Sequence, residues 1–197
     1  MKPSIEIRFQ DQIATYSAGS TPNDIIDSFS IKNKSDIVAA EINGRLVDLS
    51  VPLKESGDLD FLSLDSAKGL DVLRHSSAHI MAQAVKELFP EVKVTIGPSI
   101  EDGFYYDFDT SRPFTPEDLE KIENRMKEIV KSRLPFRRKV MSRDAAIRYF
   151  EETGETYKVE LIKEINSDEV SLYSQGEFTD LCRGPHIPNS GFVRAFK

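Results

Sequence analysis

The chain has 197 residues, of which 39% are apolar and 30% charged, and its formal net charge is −7. That length and composition support one large domain or two small ones with real cores, and the acidic balance argues against a protein that coats nucleic acid indiscriminately. No apolar run approaches a membrane span, Met1-Lys2-Pro3-Ser4 lacks a signal-peptide core, and a single cysteine cannot close an internal disulfide. No membrane partner and a reducing, cytoplasmic setting are the expectations.

Ile5-Glu6-Ile7-Arg8-Phe9 alternates like a half-buried strand, and Gln12 to Ser17 can return as its hairpin partner. Thr21-Pro22-Asn23-Asp24 offers an N-cap, a proline at the first helical position and an acid in the first turn, opening a short helix through Ile25, Ile26 and Phe29. Val38 to Ile42, an Asn43-Gly44 turn, Arg45 to Leu49 and Asp60 to Leu64 complete a ββαββ order with a short last strand. This suits a β-grasp, ubiquitin-like domain over residues 1–64. Asp65-Ser66-Ala67-Lys68-Gly69 is a polar join, so a second domain is expected over 65–197.

Asp71 to Phe89 predicts a helix stopped by Pro90, with Leu73, Ile80, Ala84 and Leu88 as its buried stripe. Val92 to Ile96 and the aromatic run Gly103 to Phe108 predict strands. Thr115-Pro116-Glu117-Asp118 opens a helix that ends before Pro135 and carries Leu119, Ile122, Met126 and Ile129 on its apolar face. Ser142 caps a further helix ending near Gly154. Tyr157 to Ile165, Val170 to Ser174 and Phe178 to Cys182 read as strands, and Phe192 to Lys197 as a strand in progress. The expected class is α+β, a mainly antiparallel sheet covered by helices following the β-grasp unit.

All three histidines and the only cysteine fall in two short motifs, His75-Ser76-Ser77-Ala78-His79 and Cys182-Arg183-Gly184-Pro185-His186. His75 and His79 project from one side of a helix, one turn apart, and the rigid Gly184-Pro185 turn is expected to fold His186 back beside Cys182. A lone pair of either kind is commonly structural, but both together, with none to spare, point to one shared site. Imidazole and thiol can bind zinc or handle protons near neutral pH. The glutamate of a His-Glu-x-x-His protease is missing, as is any Gly-rich phosphate loop. A second feature is the stretch Arg125 to Lys139. Arg125, Lys127, Lys131, Arg133, Arg137, Arg138 and Lys139 stand there against one acid, Glu128. It is either a solvated helix face or a phosphate-tracking stripe, and alone it does not decide which.

Several ordered motifs carry a resemblance. Arg74 to His79, Ile96-Gly97-Pro98, Gly103-Phe104-Tyr105-Tyr106-Asp107, Tyr157-Lys158-Val159 and Asp180 to His186 closely resemble the N-terminal half of bacterial threonyl-tRNA synthetases. The β-grasp unit, including Asn43 to Leu49, resembles that family's TGS domain, and the remainder of the chain its editing, or second additional, domain. The resemblance implies hydrolysis of serine wrongly esterified to tRNA(Thr). Rejecting an analogue smaller by one methyl through lost packing yields only about 1–3 kcal/mol, which is why a second sieve is needed.

On the matching positions, His75 and Lys158 are implied to position or activate water, Lys158 also steadying the tetrahedral intermediate. His79, Cys182 and His186 are implied to frame the seryl group, Asp180 to anchor its hydroxyl or ammonium, and Tyr105 and Tyr106 to hold the terminal adenosine, although alternation points only one of these inward. The basic stretch becomes a contact for the acceptor arm, acting through phosphate. No cofactor is required on this reading, although zinc in the His75/His79/Cys182/His186 cluster remains an open alternative. The implied partners are mischarged tRNA(Thr) and the remainder of a synthetase, whose class II core and anticodon-binding domain find no room here. Two rivals stay open: a free-standing zinc-dependent alanyl- or seryl-tRNA deacylase, and a non-catalytic RNA-binding regulatory module.

Overall fold

Alternation dictates the first sheet. Ile5, Ile7 and Phe9 bury one face of β1 (Ser4–Phe9), and the chain returns as β2 (Gln12–Ser17) with Ile5 opposite Tyr16. The computed structural model describes residues 3–197; Met1 and Lys2, half of the opening segment read for a signal peptide, lie outside it. Thr21 and Asp24 form a reciprocal capping box for α1 (Pro22–Ile25), which tightens into a 3-10 turn at Ile26–Ser28. Asn43 and Gly44 both take positive φ, +50° and +78°, as a type I′ hairpin between β3 (Ile37–Ile42) and β4 (Arg45–Val47) requires. With β5 (Gly57–Ser63), the strand order is β2-β1-β5-β3-β4, β1 and β5 being parallel and the remaining pairs antiparallel. Ile7, Ile25, Phe29, Ile42 and Leu59 lie in its core, Phe9 and Phe29 with ring centroids 5.2 Å apart. This is the expected β-grasp arrangement.

The chain divides into two compact units, the first reaching to Leu73 and taking in Gly184–Pro188, the second formed by Arg74–Arg183 and Asn189–Lys197. In the first, the backbone N–H of His186 donates to Asp48 Oδ1 at 2.8 Å. The long helix α2 (Ala67–Leu88) starts in that unit and supplies Arg74 to Leu88 to the second. Short pairs follow: β6 (Lys93–Val94) with β9 (Phe108–Asp109), and β7 (Ser99–Ile100) with β8 (Gly103–Phe104). Then come α3 (Pro116–Lys131), capped by a Thr115–Asp118 box, β10 (Arg137–Ser142), α4 (Arg143–Glu152), α5 (Thr156–Glu164), β11 (Glu169–Gln175) and β12 (Phe178–Leu181). β10, β11 and β12 form an antiparallel sheet, and Phe150, Ile162 and Leu172 belong to one of this unit's cores. Among the described residues no helix is long and apolar enough to cross a membrane.

Several elements depart from the sequence expectations. Residues 157–164 lie in a helix, α5, instead of a strand. Glu155 just before it and Lys158, Val159 and Ile162 within it are buried, an i, i+3, i+4, i+7 pattern that the β-branched and aromatic residues disguised. α2 begins four residues early because Ser66 Oγ accepts from the Gly69 N–H at 3.0 Å as an N-cap. Its burial is not a stripe, since Ser76, Ser77, Ala78, His79 and Ile80 are all buried whereas Leu88 is exposed. Leu119, assigned to the apolar face of α3, is also exposed. The aromatic run bends, pairing only at its ends, and residues 193–197 form no strand, following a 3-10 turn at Ser190–Phe192. β10 was unanticipated, because its charged residues at 137–139 hide any alternation.

Candidate functional site

The chemistry collects in the second unit, where α2, the 95–98 turn, α5 and β12 converge. They enclose a cavity of about 240 Å³ whose wall includes His75, His79, Tyr106, Lys158, Asp180 and Cys182. The structure therefore brings together residues from five separate sequence segments.

Lys158 lies on the first turns of α5. Glu155, the residue before that helix, forms an ion pair with Lys86 of α2 at 2.7 Å and accepts from the Val94 N–H at 3.3 Å. This ties the start of α5 to α2 and β6. The side chain of Lys158 is nearly inaccessible, and its Nζ has three acceptors: Asp180 Oδ1 at 2.7 Å, the Tyr106 hydroxyl at 2.9 Å and the Thr95 carbonyl. An ammonium has three protons, so its donors are fully used.

Asp180, equally buried, accepts from Lys158, from the Tyr106 hydroxyl at 2.5 Å (Oδ2) and from the Leu181 backbone N–H at 2.8 Å (Oδ1). Burial alone would raise its pKa, but the Lys158 ammonium, with His79 and the Tyr106 hydroxyl, holds it below the usual carboxylate value. Burial and the Asp180 charge push the Tyr106 phenol well above its ordinary value, so it remains a donor. Gly97 makes room for that ring: a Cβ there would lie 2.1 Å from Tyr106 Cδ2.

The imidazoles sit beside this network. His79 is buried, with Nδ1 3.7 Å from Asp180 Oδ2, and burial lowers its pKa to about 3 against the opposing pull of Asp180. It is therefore neutral at physiological pH. Gln175 Nε2 donates to the His79 carbonyl at 3.2 Å and to Gln83 Oε1 at 2.8 Å, locking α2 onto β11. His75, half-buried one turn earlier, has its ring centroid 4.9 Å from that of His79, and its Nε2 is 3.0 Å from Cys182 Sγ. Ser171 clamps the cysteine's backbone, its carbonyl accepting from the Cys182 N–H at 3.1 Å and its hydroxyl donating to the Cys182 carbonyl at 2.6 Å. One donor atom each from His75, His79 and Cys182 lies within 4.8 Å of the others.

His186 is buried in the Gly184–Pro188 segment of the first unit. Tyr106 faces inward and Tyr105 is 41% exposed, the single inward tyrosine that alternation requires. The basic stretch spans α3, the turn after it and β10. Arg125, Lys127 and Lys131 ride on α3, Arg133 follows it at φ +50°, and Arg137, Arg138 and Lys139 belong to β10. Arg125 is paired with Glu87 and Glu128, and Lys127 with Glu123. Sequence reasoning gave no role to Thr95, whose carbonyl meets Lys158, to Gly97, which acts by lacking a side chain, or to Ser171, which holds the Cys182 backbone through its carbonyl and its hydroxyl. Only the Gly97-Pro98 dipeptide signalled a tight approach.

Residues 170–197 match the family described as the Threonyl and Alanyl tRNA synthetase second additional domain. The chain is 50% identical over 195 residues to the threonine–tRNA ligase of Carboxydothermus hydrogenoformans, covering 98% of this chain and 31% of that protein. It is 50% identical over 196 residues to that of Syntrophotalea carbinolica, with 98% and 31% covered, and 56% identical over 161 residues to that of Azoarcus sp., with 81% and 25% covered. The chain thus spans about a third of the length of the first two. Over 98% of its length this chain is similar to a segment of threonine–tRNA ligases that makes up about a third of those proteins, and its residues 170–197 match their second additional domain.

Proposed function

We propose that the second unit hydrolyses the ester of serine mischarged onto tRNA(Thr), as the proofreading part of a longer ligase. The observation that carries this reading is the buried Lys158–Asp180–Tyr106 network bordering a cavity of about 240 Å³ into which a histidine pair also faces. A fixed cation, a fixed carboxylate and a neutral imidazole, already desolvated, are what ester hydrolysis needs and what a purely RNA-binding surface does not.

In this scheme His75 takes the proton of a water whose oxygen attacks the seryl carbonyl carbon. The charge that develops on the carbonyl oxygen is stabilised by the field of Lys158. Collapse expels the ribose hydroxyl, which receives the proton from His75, leaving free serine and uncharged tRNA. Asp180 uses three of its roughly four lone-pair positions within the protein, so one remains for the substrate ammonium or hydroxyl. Threonine is rejected because its additional methyl clashes with the residues that hold the seryl group.

The reaction uses no metal. The donor set of His75, His79 and Cys182 is nevertheless of the kind zinc takes. If zinc were bound, these residues would hold it and it would polarise water or the ester carbonyl. The 3.0 Å His75–Cys182 contact would then have to open, since both atoms would turn to the ion.

The test is deacylation of Ser-tRNA(Thr) by this chain and by His75→Ala, each with and without a chelator. The expectation is activity that survives chelation and falls about 100-fold or more in the variant. Chelator-sensitive activity restored by zinc would move the protein to the metal-dependent class. Undiminished activity in His75→Ala would remove that residue as the base.

A further inference from the structure

The catalytic cavity opens beside a larger cleft of about 970 Å³, and Ile96, Leu161, Leu181 and Cys182 line both. Whatever carries the scissile ester into the cavity therefore lies along that cleft. Strand register shows what it meets there. Arg138 of β10 pairs with Tyr173 of β11, and Tyr173 pairs with Asp180 of β12. Paired residues in an antiparallel sheet share a face, so Arg138, Tyr173 and Asp180 form one row across it. Two inter-strand spacings put Arg138 about 10 Å from Asp180, a separation of the order of one nucleotide, and Arg138 is exposed in the cleft wall.

We infer that Arg138 binds the phosphate on the 5′ side of the terminal adenosine, so that the acceptor strand approaches across β10 and lays its last nucleoside in the cleft between Arg138 and Asp180. This rests on the editing reading above and names the nucleotide contact that reading lacks. Among the described residues Arg138 forms no ion pair, whereas Arg125 and Lys127 of α3 are already neutralised by Glu87, Glu128 and Glu123. A guanidinium with no carboxylate partner is the better phosphate ligand, since its planar fork can meet two phosphate oxygens. The cleft's other charged residues, Arg183 against Glu164 and Glu169, are net acidic, which leaves Arg138 as the better phosphate site. Its apolar wall, with Val140, Leu161 and Ile165, suits a nucleobase face.

The experiment measures binding of an unacylated RNA hairpin ending in CCA to this chain and to Arg138→Gln across a salt series. The hairpin is used unmodified and with a neutral methylphosphonate in place of the phosphate preceding the terminal adenosine. Arg138→Gln should weaken binding of the unmodified hairpin about tenfold and reduce the salt slope by about 1. Neutralising that phosphate should cost the wild type the same factor and the variant nothing further. Equal affinities of the two proteins, or losses that multiply when both changes are made, would overturn the assignment. The outcome does not depend on turnover. A chain that shows the Arg138 effect yet hydrolyses no seryl ester would refute the editing reading and leave the phosphate contact standing.

Discussion

Replacing Lys158 by Met isolates the energetic logic of the site. The Nζ–Oδ1 separation of 2.7 Å corresponds to a gross attraction of about 6 kcal/mol at an effective dielectric near 20. Burying two ions costs several kcal/mol each, so the intact pair contributes little net stability. Removing one partner is different, because Asp180 is left charged and buried with only the Tyr106 and Leu181 donors. The expected loss is about 3–5 kcal/mol, a large share of the ~5–15 kcal/mol that holds a domain folded. Asp180→Asn should cost a similar amount by stranding the ammonium. The double variant should recover at least about 2 kcal/mol relative to the sum of the singles. Urea unfolding followed by circular dichroism measures this, the chain having no tryptophan to report on the site. Additive losses would refute the claim that these two groups act as one unit.

Gly97→Ala should cost about 1–3 kcal/mol, because its Cβ would displace the Tyr106 ring; a thermal melt checks this, and an unchanged melt would show that the ring has room to move. Tyr106→Phe removes a hydroxyl that links Asp180 and Lys158 and should cost about 1.5–3 kcal/mol, read from the shift in urea midpoint. His79 has a folded pKa of about 3 against an ordinary value of 6.5, so below pH 6.5 the unfolded chain binds a proton that the folded chain refuses. Its contribution is therefore complete above pH 6.5 and is lost as pH falls toward 3, by up to about 1.4 kcal/mol per pH unit. His79→Gln should flatten that slope in unfolding measurements from pH 4 to 7, and an unaltered slope would contradict the burial of a neutral imidazole.

Much of the fold was legible because local rules and tertiary packing agree in it. Ile5, Ile7 and Phe9 announce their strand by alternation, Thr21 and Asp24 their cap, and Asn43-Gly44 its hairpin. Reading failed where tertiary packing overrode local appearance. Tyr157 and Val159 suggest a strand, but the buried positions follow a helical period that includes Lys158, a residue no hydrophobic pattern counts as core. The site was half legible. His75, His79 and Cys182 stood out by scarcity alone. Lys158 and Asp180, twenty-two positions apart, became visible only through the family resemblance, because a buried ion pair closed by tertiary folding leaves no spacing signal. Arg138 was seen as one charge among seven, and its register opposite Tyr173 is what distinguishes it.

The most direct test of the central claim is the ratio of initial deacylation rates for Ser-tRNA(Thr) and Thr-tRNA(Thr) with the unmodified chain. A cavity that admits serine and excludes one further methyl should favour the seryl ester by about 100-fold or more, the upper part of what one methyl supports. Equal rates, or faster hydrolysis of the threonyl ester, would contradict the account.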